Sequence, residues 1–462
     1  MKTKPLTLNT DVFELPFKLI YLIFGIFTFC NLTHMQPIMS YAVIAVLGMS
    51  VLLFIPRFIN IAGYVKTPAL SLLIAFTVSF IISAILNFSY GYSDNFKGLV
   101  WLILHFFGLF ACNVKRDEKE YKKEFSILSI FYLAVFFVMS AISLIQYIIN
   151  YSLEQYNKEY TRLAGLVWGR LWGVFRDPNY ASVFAAIAIV LSLYYIRKNK
   201  NKLLRVFLIF NIVVQFLYLS LSGSRTGMVA LFAVVFLYIL LIGLKKLNFK
   251  GFLKISLVVV IALLVSVSSF LIITGVHKVN SEIVEYRYYQ SAQGEDVPEY
   301  EDGREQDLES DISNRRFDLW KSGVEIFSEN KVFGVSYYNL KSYAESQMPD
   351  TYLVNNNHGK FNNTHNIIFN VLAAQGLTGI ILFISFAVFT VIFIFKNIAK
   401  TPDSDYEYIC VMFICCVASL VSSMFVTDVI YTNSPTSVIF WLFLGYMFHY
   451  FKRKKMSKEN EC

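Results

Sequence analysis

Long apolar stretches recur along the chain, and short polar segments separate them. Stretches of about 20 apolar residues have the length of an α-helix that crosses a bilayer. A transmembrane β-barrel would instead show short segments of alternating hydrophobicity. The pattern therefore predicts an all-α polytopic membrane protein with about twelve transmembrane helices. The predicted spans lie near residues 16–33, 37–56, 67–87, 98–113, 125–149, 178–196, 203–221, 225–243, 252–275, 377–396, 407–427 and 434–451.

Composition supports this class, since 56% of the residues are hydrophobic and the mean hydropathy is +0.54. The net charge of +9 lies largely in clusters that follow the fourth, sixth, eighth, tenth and twelfth spans. By the positive-inside rule these clusters and both termini are predicted to be cytoplasmic. The charge therefore sets topology and does not indicate nucleic-acid binding. The N-terminal sequence predicts a first transmembrane helix and no cleaved signal.

One long polar segment interrupts the apolar pattern and divides the chain into three parts. Residues 1–275 are predicted to hold spans one to nine, and residues 276–364 an extracytoplasmic catalytic loop. Residues 365–462 are predicted to hold a short surface helix and spans ten to twelve. A second outer loop is predicted from residue 150 to about 176. Long loops of this kind are usually functional or disordered, and here a functional role is favoured.

Two helices are predicted within or beside the long loop. Ser313 is a candidate N-cap for the first, which places four apolar side chains on one face at the membrane interface. These are Phe317, Trp320, Val324 and Phe327. The second helix is predicted from about His365 to Gln375, capped by Thr364 or Asn363, with a break at residues 375–379 before the next span.

Arginine is concentrated in the predicted outer segments, whereas the cytoplasmic clusters favour lysine. Arginine presents a planar fork that binds phosphate oxygens in pairs, so the group indicates an anionic ligand such as a membrane-held diphosphate. The alternative is that single arginines pair with carboxylates of the loop. Eight of the thirteen arginines are in this group: Arg162, Arg170, Arg176, Arg225, Arg287, Arg304, Arg315 and Arg316.

Two short motifs precede predicted spans on this outer side. Asp177-Pro178-Asn179 is a turn and helix-start pattern, so Asp177 and Asn179 are candidate caps, with Arg170 and Arg176 beside the ligand. The segment from Ser222 to Gly227 is a turn of small residues between two spans. Arg225 within it enters a membrane helix, where ionisable residues are usually functional.

His365 is the candidate catalytic base. A single histidine is more often structural than catalytic, but this one follows a polar run and shares a face of the membrane with the arginines. A neutral imidazole there would take a proton from a sugar hydroxyl. His358 is the competing histidine, in a run of asparagines. The acidic run 295–311 is predicted to be solvated or disordered, and neither it nor the six cysteines has the spacing of a metal site.

Taken in order, these motifs resemble the superfamily of bacterial O-antigen ligases and O-antigen polymerases. The resemblance covers about residues 160–400, and the predicted topology also matches. It rests on Arg170, Gly173 and Asp177-Pro178-Asn179, on Ser222-Gly223-Ser224-Arg225-Thr226-Gly227, on Arg316 and Trp320, on Phe333-Gly334, on His365-Asn366, and on Gly376 and Gly379.

The resemblance implies an inverting glycosyltransferase that needs no metal or cofactor and uses glycans linked to undecaprenyl diphosphate. It implies that Arg225 and Arg316 hold the diphosphate and that His365, followed by Asn366, activates the acceptor hydroxyl. Arg315 doubles Arg316, so both are candidates for the family's arginine. Val335-Ser336-Tyr337 replaces the glycine-rich ending that usually follows Phe333-Gly334.

The expected function is that of a polysaccharide polymerase of O-antigen, capsule or exopolysaccharide on the outer face of the bacterial cytoplasmic membrane. Its expected partners are the lipid-linked oligosaccharide, membrane lipid, a flippase and a chain-length regulator. One alternative is a ligase that transfers glycan to another acceptor. Others are a lipid-linked oligosaccharide flippase or transporter, which the scarcity of central charge in spans one to five, eleven and twelve disfavours, and an assembly scaffold.

Overall fold

The computed structural model describes residues 11–32, 37–156, 161–246, 251–291, 315–357, 359–426 and 428–461. Eight of the described helices are long and apolar enough to cross a membrane, which makes this a multi-pass membrane protein. The helices are α1 Asp11–Thr28, α2 Ile38–Ile59, α3 Ile61–Tyr64, α4 Leu70–Leu86, α5 Tyr92–Ile103, α6 Glu118–Ile148, α7 Pro178–Lys198, α8 Lys202–Leu221, α9 Arg225–Lys246, α10 Gly251–Ser291, α11 Arg316–Glu329, α12 Leu340–Gln347, α13 Ile367–Ile398, α14 Asp403–Phe425 and α15 Pro435–Glu461.

Each predicted span overlaps one of these helices: α1, α2, α4 to α10, and α13 to α15. The mostly helical, multi-pass architecture is thus confirmed, while the count of twelve spans stays a prediction. The fourth span is completed by a π-helical turn, Leu104–Phe110, after α5. The ninth differs more, because α10 continues to Ser291 and not to residue 275. The polar segment predicted as a loop from residue 276 therefore starts as a helix.

The segment between α6 and α7, predicted as a loop, folds into a small antiparallel sheet within this mostly helical protein. Its strands, in the order β1-β2-β3, are Ser152–Tyr156, Thr161–Val167 and Arg170–Gly173. Trp168 and Gly169 form the turn between β2 and β3, and both have positive φ (51° and 69°), as a two-residue hairpin turn with matching twist requires. Strand β3 leads directly into the Asp177 motif.

The first helix of the long loop, α11, begins at Arg316, and the predicted cap Ser313 lies outside the described residues. Phe317 and Val324 are exposed, as expected for a helix that lies at an interface. Trp320 instead packs against Phe369 of α13, with ring centroids 5.3 Å apart. Trp320 therefore packs against the protein on this side of α11.

The start of α13 differs from the prediction. Asn366 is its N-cap, because its side-chain oxygen accepts a hydrogen bond from the backbone N–H of Ile368 at 2.9 Å. The predicted caps at residues 363 and 364 are therefore wrong, and His365 precedes the helix with φ 54°. The predicted break is confirmed at Gly376, whose φ of 59° and ψ of −152° are not helical.

The segment around Gly334 packs into this break in α13. The N–H groups of Val335 and Ser336 donate to the carbonyls of residues 373 and 374, at 3.0 and 2.8 Å. In return, the N–H of Leu377 donates to the carbonyl of Lys331 at 2.8 Å. A Cβ on Gly334 would lie 2.4 Å from the Ala373 carbonyl oxygen, so this approach requires glycine. The two glycine motifs of the sequence are thus one interlocking contact, which fixes the long loop against α13.

Five charged side chains form a buried network near the start of α1. Glu14 and Lys18 of α1 meet Arg57 of α2, Arg116, and Glu124 of α6, and none of the five exceeds 9% exposure. The sequence analysis did not predict this cluster, although it described the first five spans as nearly free of central charge. It lies at the ends of these helices and not at their centres.

Candidate active site

A polar cleft of about 290 Å³ lies where α7, α11 and the start of α13 meet. It brings together the histidine and two of the arginines selected from the sequence with the helix-start motif of α7, although these residues are far apart in the chain. The lining residues are Asp177, Asn179, Tyr180, Arg315, Arg316, Leu319, Tyr352, Phe361, His365, Phe425 and Val426.

The imidazole of His365 is held in one orientation in this cleft. Its Nδ1 lies 3.0 Å from the carbonyl oxygen of Val426, and the edge of the Phe361 ring packs at 5.8 Å between centroids. A carbonyl oxygen only accepts, so Nδ1 carries the proton and donates it. Nε2 is then the unprotonated nitrogen, which is the arrangement that a general base needs.

The charge state of His365 is set mainly by burial. Burial lowers its pKa, the Val426 carbonyl raises it, the Arg316 guanidinium lowers it, and Asp177 raises it, with a lowered pKa as the net result. This direction agrees with the neutral imidazole expected from the sequence.

A second, largely apolar cleft of about 240 Å³ adjoins the first. Its walls are the start of α9, one side of α11 and the end of α14. Arg316 and Phe425 line both clefts, so Arg316 lies between the polar and the apolar one, whereas Arg315 lines the polar cleft. The lining residues are Arg225, Thr226, Val229, Arg316, Phe317, Trp320 and Phe425.

Comparison with known proteins bears on the part of the chain that builds these clefts. Residues 210–384 match the family model described as O-antigen ligase. This segment of the chain is similar to the O-antigen ligase family. The resemblance found in the sequence is thereby confirmed, and it identifies a glycosyltransferase-type enzyme of envelope polysaccharide synthesis, of the ligase or polymerase kind. No curated protein matches the chain.

The matched segment contains Arg225, Arg316 and His365, but part of their support comes from outside it. Three successive carbonyls at the C-terminal end of α14 accept hydrogen bonds from this site. Met424 accepts from the Asn366 amide at 3.1 Å, Phe425 from Arg316 Nε at 3.0 Å, and Val426 from His365 at 3.0 Å. The C-terminal end of a helix carries partial negative charge, which favours a guanidinium there.

The sequence did not predict this support. The resemblance to the family used the last two spans only for their number. Every residue has a backbone carbonyl, so the sequence does not show which carbonyls accept hydrogen bonds. The three residues concerned all have apolar side chains. The one available signal was the short polar segment between α14 and α15, which begins immediately after them.

Arg170 and Arg176 lie outside the lining of both clefts, as far as the described residues show. Arg170 donates to the carbonyl of Ser222 at 2.8 Å and to Asn179 Oδ1 at 2.9 Å. Arg176 donates to the carbonyl of Thr28 at the end of α1. Both arginines therefore join elements around the site, and their predicted contact with the diphosphate stays a prediction.

The remaining selected residues serve as caps and close contacts. Asp177 caps α7 by accepting from the N–H of Asn179 at 2.6 Å, and Asn366 caps α13 as described. The turn before Arg225 needs its glycine, because Gly223 has φ 59° and a Cβ there would lie 2.8 Å from the His277 ring. The sequence-derived capping roles of Asp177 and the tight turn at Gly223 are both present.

Proposed function

We propose that the protein is a polysaccharide polymerase that joins undecaprenyl-diphosphate-linked repeat units on the outer face of the cytoplasmic membrane. The observation that carries this proposal is the position of Arg316 between an apolar cleft and a polar cleft that contains His365. A lipid-linked sugar has the same three parts in the same order: an apolar chain, a diphosphate and a glycan.

In this proposal the diphosphate binds at the boundary between the clefts. Arg225 and Arg316 supply two guanidinium forks from α9 and α11. Trp320 lines the same cleft, and its indole N–H is buried without a hydrogen-bond partner among the described residues. A buried donor of this kind is normally satisfied, so a phosphate oxygen is a fitting partner.

The transfer step follows from the orientation of His365. The acceptor sugar lies in the polar cleft, and Nε2 takes the proton of its hydroxyl as the oxygen attacks the anomeric carbon of the donor. The bond from the anomeric carbon to the diphosphate breaks, undecaprenyl diphosphate leaves, and the anomeric configuration inverts. Arg225 and Arg316 stabilise the negative charge on the leaving group. The anomeric diphosphate is already activated, so the reaction needs no nucleotide.

The family description favours a second candidate, a ligase that transfers the glycan to a different acceptor. One assay separates the candidates: purified protein in lipid, lipid-linked repeat units and no nucleotide, with products resolved by length. A ladder of products supports the polymerase. A single transfer that requires an added acceptor supports the ligase. Absence of any glycosidic product overturns both, and movement of intact lipid-linked units across vesicles would indicate a flippase.

Replacing Arg316 or Arg225 by lysine is expected to lower the transfer rate roughly 10- to 100-fold, because a hydrogen bond to a charged group contributes about 1.5–3 kcal/mol and lysine lacks the fork. The rate of chain extension is measured on equal amounts of folded protein. Arg287→Lys is the matched control, since Arg287 bonds the Tyr147 carbonyl and lies outside both clefts' described lining. Normal rates in both cleft variants would contradict binding of the diphosphate by these arginines.

The proposed location rests on the charge clusters and is tested by labelling. A cysteine at Asn355 is expected to react with an impermeant thiol reagent on whole cells, and a cysteine at Lys200 is not. Both positions are exposed, and the five natural cysteines that the structure describes are buried, so these five contribute little background labelling. The reverse labelling pattern would place the clefts on the cytoplasmic side.

A further inference from the structure

A chain of buried hydrogen bonds links Asp428, between α14 and α15, to the residue before the proposed base. Asp428 Oδ2 accepts from Asn370 Nδ2 at 3.1 Å. Asn370 Oδ1 in turn accepts from the N–H and the hydroxyl of Thr364, at 2.9 and 2.8 Å. Asp428, Asn370 and Thr364 are each 3% exposed or less. Thr364 is joined directly to His365, so the chain ends at the backbone of the base.

His365 needs such support, because its backbone lies in the left-handed region with φ 54°. A residue other than glycine adopts this conformation at a cost, and its surroundings must hold it there. The ring is held by the Val426 carbonyl, and the His365 N–H donates to Asn363 Oδ1 at 2.8 Å. Thr364 is the third point of attachment. Two of the three attachments thus lead to the short segment that contains Val426 and Asp428.

We propose that Asp428 is a positioning residue for the proposed transfer reaction, acting on His365 through Asn370 and Thr364. This inference rests on the proposed function. Asp428 does not line the described part of either cleft, so it does not touch substrate. Its carboxylate fixes the donor-to-acceptor direction of these hydrogen bonds. Through them it fixes the position of His365 Nε2 relative to the acceptor hydroxyl.

The direction of the hydrogen bonds explains why this position needs a carboxylate. A backbone N–H always donates, so the Asn370 atom that faces Thr364 is the oxygen, and the amide nitrogen faces Asp428. The other carboxylate oxygen, Oδ1, accepts from the N–H groups of Ile430 and Tyr431 at 2.6 and 3.2 Å. All of these neighbours donate. An asparagine at 428 would bring a second NH₂ group against that of Asn370, and one of the two amides would have to turn.

Exchanging the side chains of Asp428 and Asn370 tests this chain of hydrogen bonds. Asp428→Asn and Asn370→Asp each place like groups opposite one another, two donors in the first case and two acceptors in the second. Each is expected to lower kcat by about 10- to 100-fold with little change in KM for the lipid-linked donor, since a misplacement of about 1 Å can cost about 10²-fold. The double variant restores one donor opposite one acceptor and still satisfies Thr364, so kcat is expected to recover.

A control separates positioning from loss of fold. Asn211 of α8 belongs to another buried amide chain, in which it donates to Ser192 and accepts from Gln215. Asn211→Ala is expected to lower the melting temperature and to leave kcat per folded molecule unchanged. Wild-type kcat in Asp428→Asn, or a double variant that folds and does not recover kcat, would overturn the inference. If Asp428→Asn does not fold, Asn370→Asp and the double variant decide it. A wild-type protein that forms no glycosidic product instead overturns the proposed function.

Discussion

Replacing His365 by alanine is expected to abolish chain extension while the protein remains folded in the membrane. A general base contributes about 10²–10⁴-fold to the rate, and in the proposed reaction Nε2 of this ring is the group that takes the proton. The measurement is product length against time with purified protein. His365→Gln is the sharper variant, because a glutamine amide retains a donor for the Val426 carbonyl but does not take up the proton.

The pH dependence of the rate, compared between the wild type and His365→Gln, tests the assignment of the base. The imidazole takes a proton only when neutral, so the rate falls as pH falls through the pKa of His365. Burial lowers that pKa, and the acidic limb of the profile is therefore expected below the ordinary histidine value of about 6.5. The limb should be absent from the residual activity of His365→Gln.

His358→Ala is the control, since His358 is the histidine that competes with His365 in the sequence, although it lies outside the described residues. Its activity is expected to match the wild type. Undiminished chain growth in His365→Ala would remove this residue as the base and direct attention to Asp177, the carboxylate in the lining of the same cleft. The sequence also predicts that a metal chelator leaves the wild-type rate unchanged.

The helices were predictable because membrane spans depend on the length and hydropathy of single stretches, which the sequence shows directly. The break at Gly376 was predictable for the same local reason, as glycine adopts conformations that end a helix. The sheet from residue 152 to 173 was not, since its strands are short and five successive residues of β2, Leu163 to Val167, are buried, so no alternating pattern marks it. Packing by distant elements decides its conformation.

The side chains of the candidate site were predictable from the sequence, whereas the groups that hold them in place were not. Arg225, Arg316 and His365 stood out because charged or titratable groups are unusual beside membrane spans. Their support comes from the carbonyls of residues 424–426, which are peptide groups that every residue has. Asp428 follows an apolar span and resembles a residue of an ordinary polar turn. Only the folded arrangement shows that its partner is Asn370.

The largest effect on stability is expected from Glu14→Gln in the buried charge network. Glu14 accepts from Lys18 at 3.1 Å, from Arg116 at 2.7 Å and from the Tyr64 hydroxyl at 3.0 Å, and it pairs with Arg57 at 3.2 Å. With glutamine at this position, Arg57 keeps its charge in a fully buried place without a carboxylate among the described residues. Breaking a buried ion pair on one side typically costs about 3–5 kcal/mol.

The measurement is thermal unfolding of the purified protein, with Asp94→Asn as the control. Asp94 pairs with Lys97 at 2.9 Å, but both side chains are more than 60% exposed, so this pair contributes little. Adding Arg57→Met to Glu14→Gln should recover part of the lost stability, because an apolar side chain replaces the unpaired charge. A melting temperature of Glu14→Gln equal to that of the wild type would show that the network does not stabilise the fold.

The network and the site lie at opposite ends of α1, so their effects on activity should differ. Glu14 is near the start of this helix, and Thr28, which accepts from Arg176, is at its end, about 20 Å away at 1.5 Å per residue. Loss of Glu14 is therefore expected to reduce the amount of folded protein and to leave the rate per folded molecule unchanged. Loss of His365 has the reverse effect. Measuring rate and melting temperature on both variants separates the group that performs transfer from the group that holds the helices together.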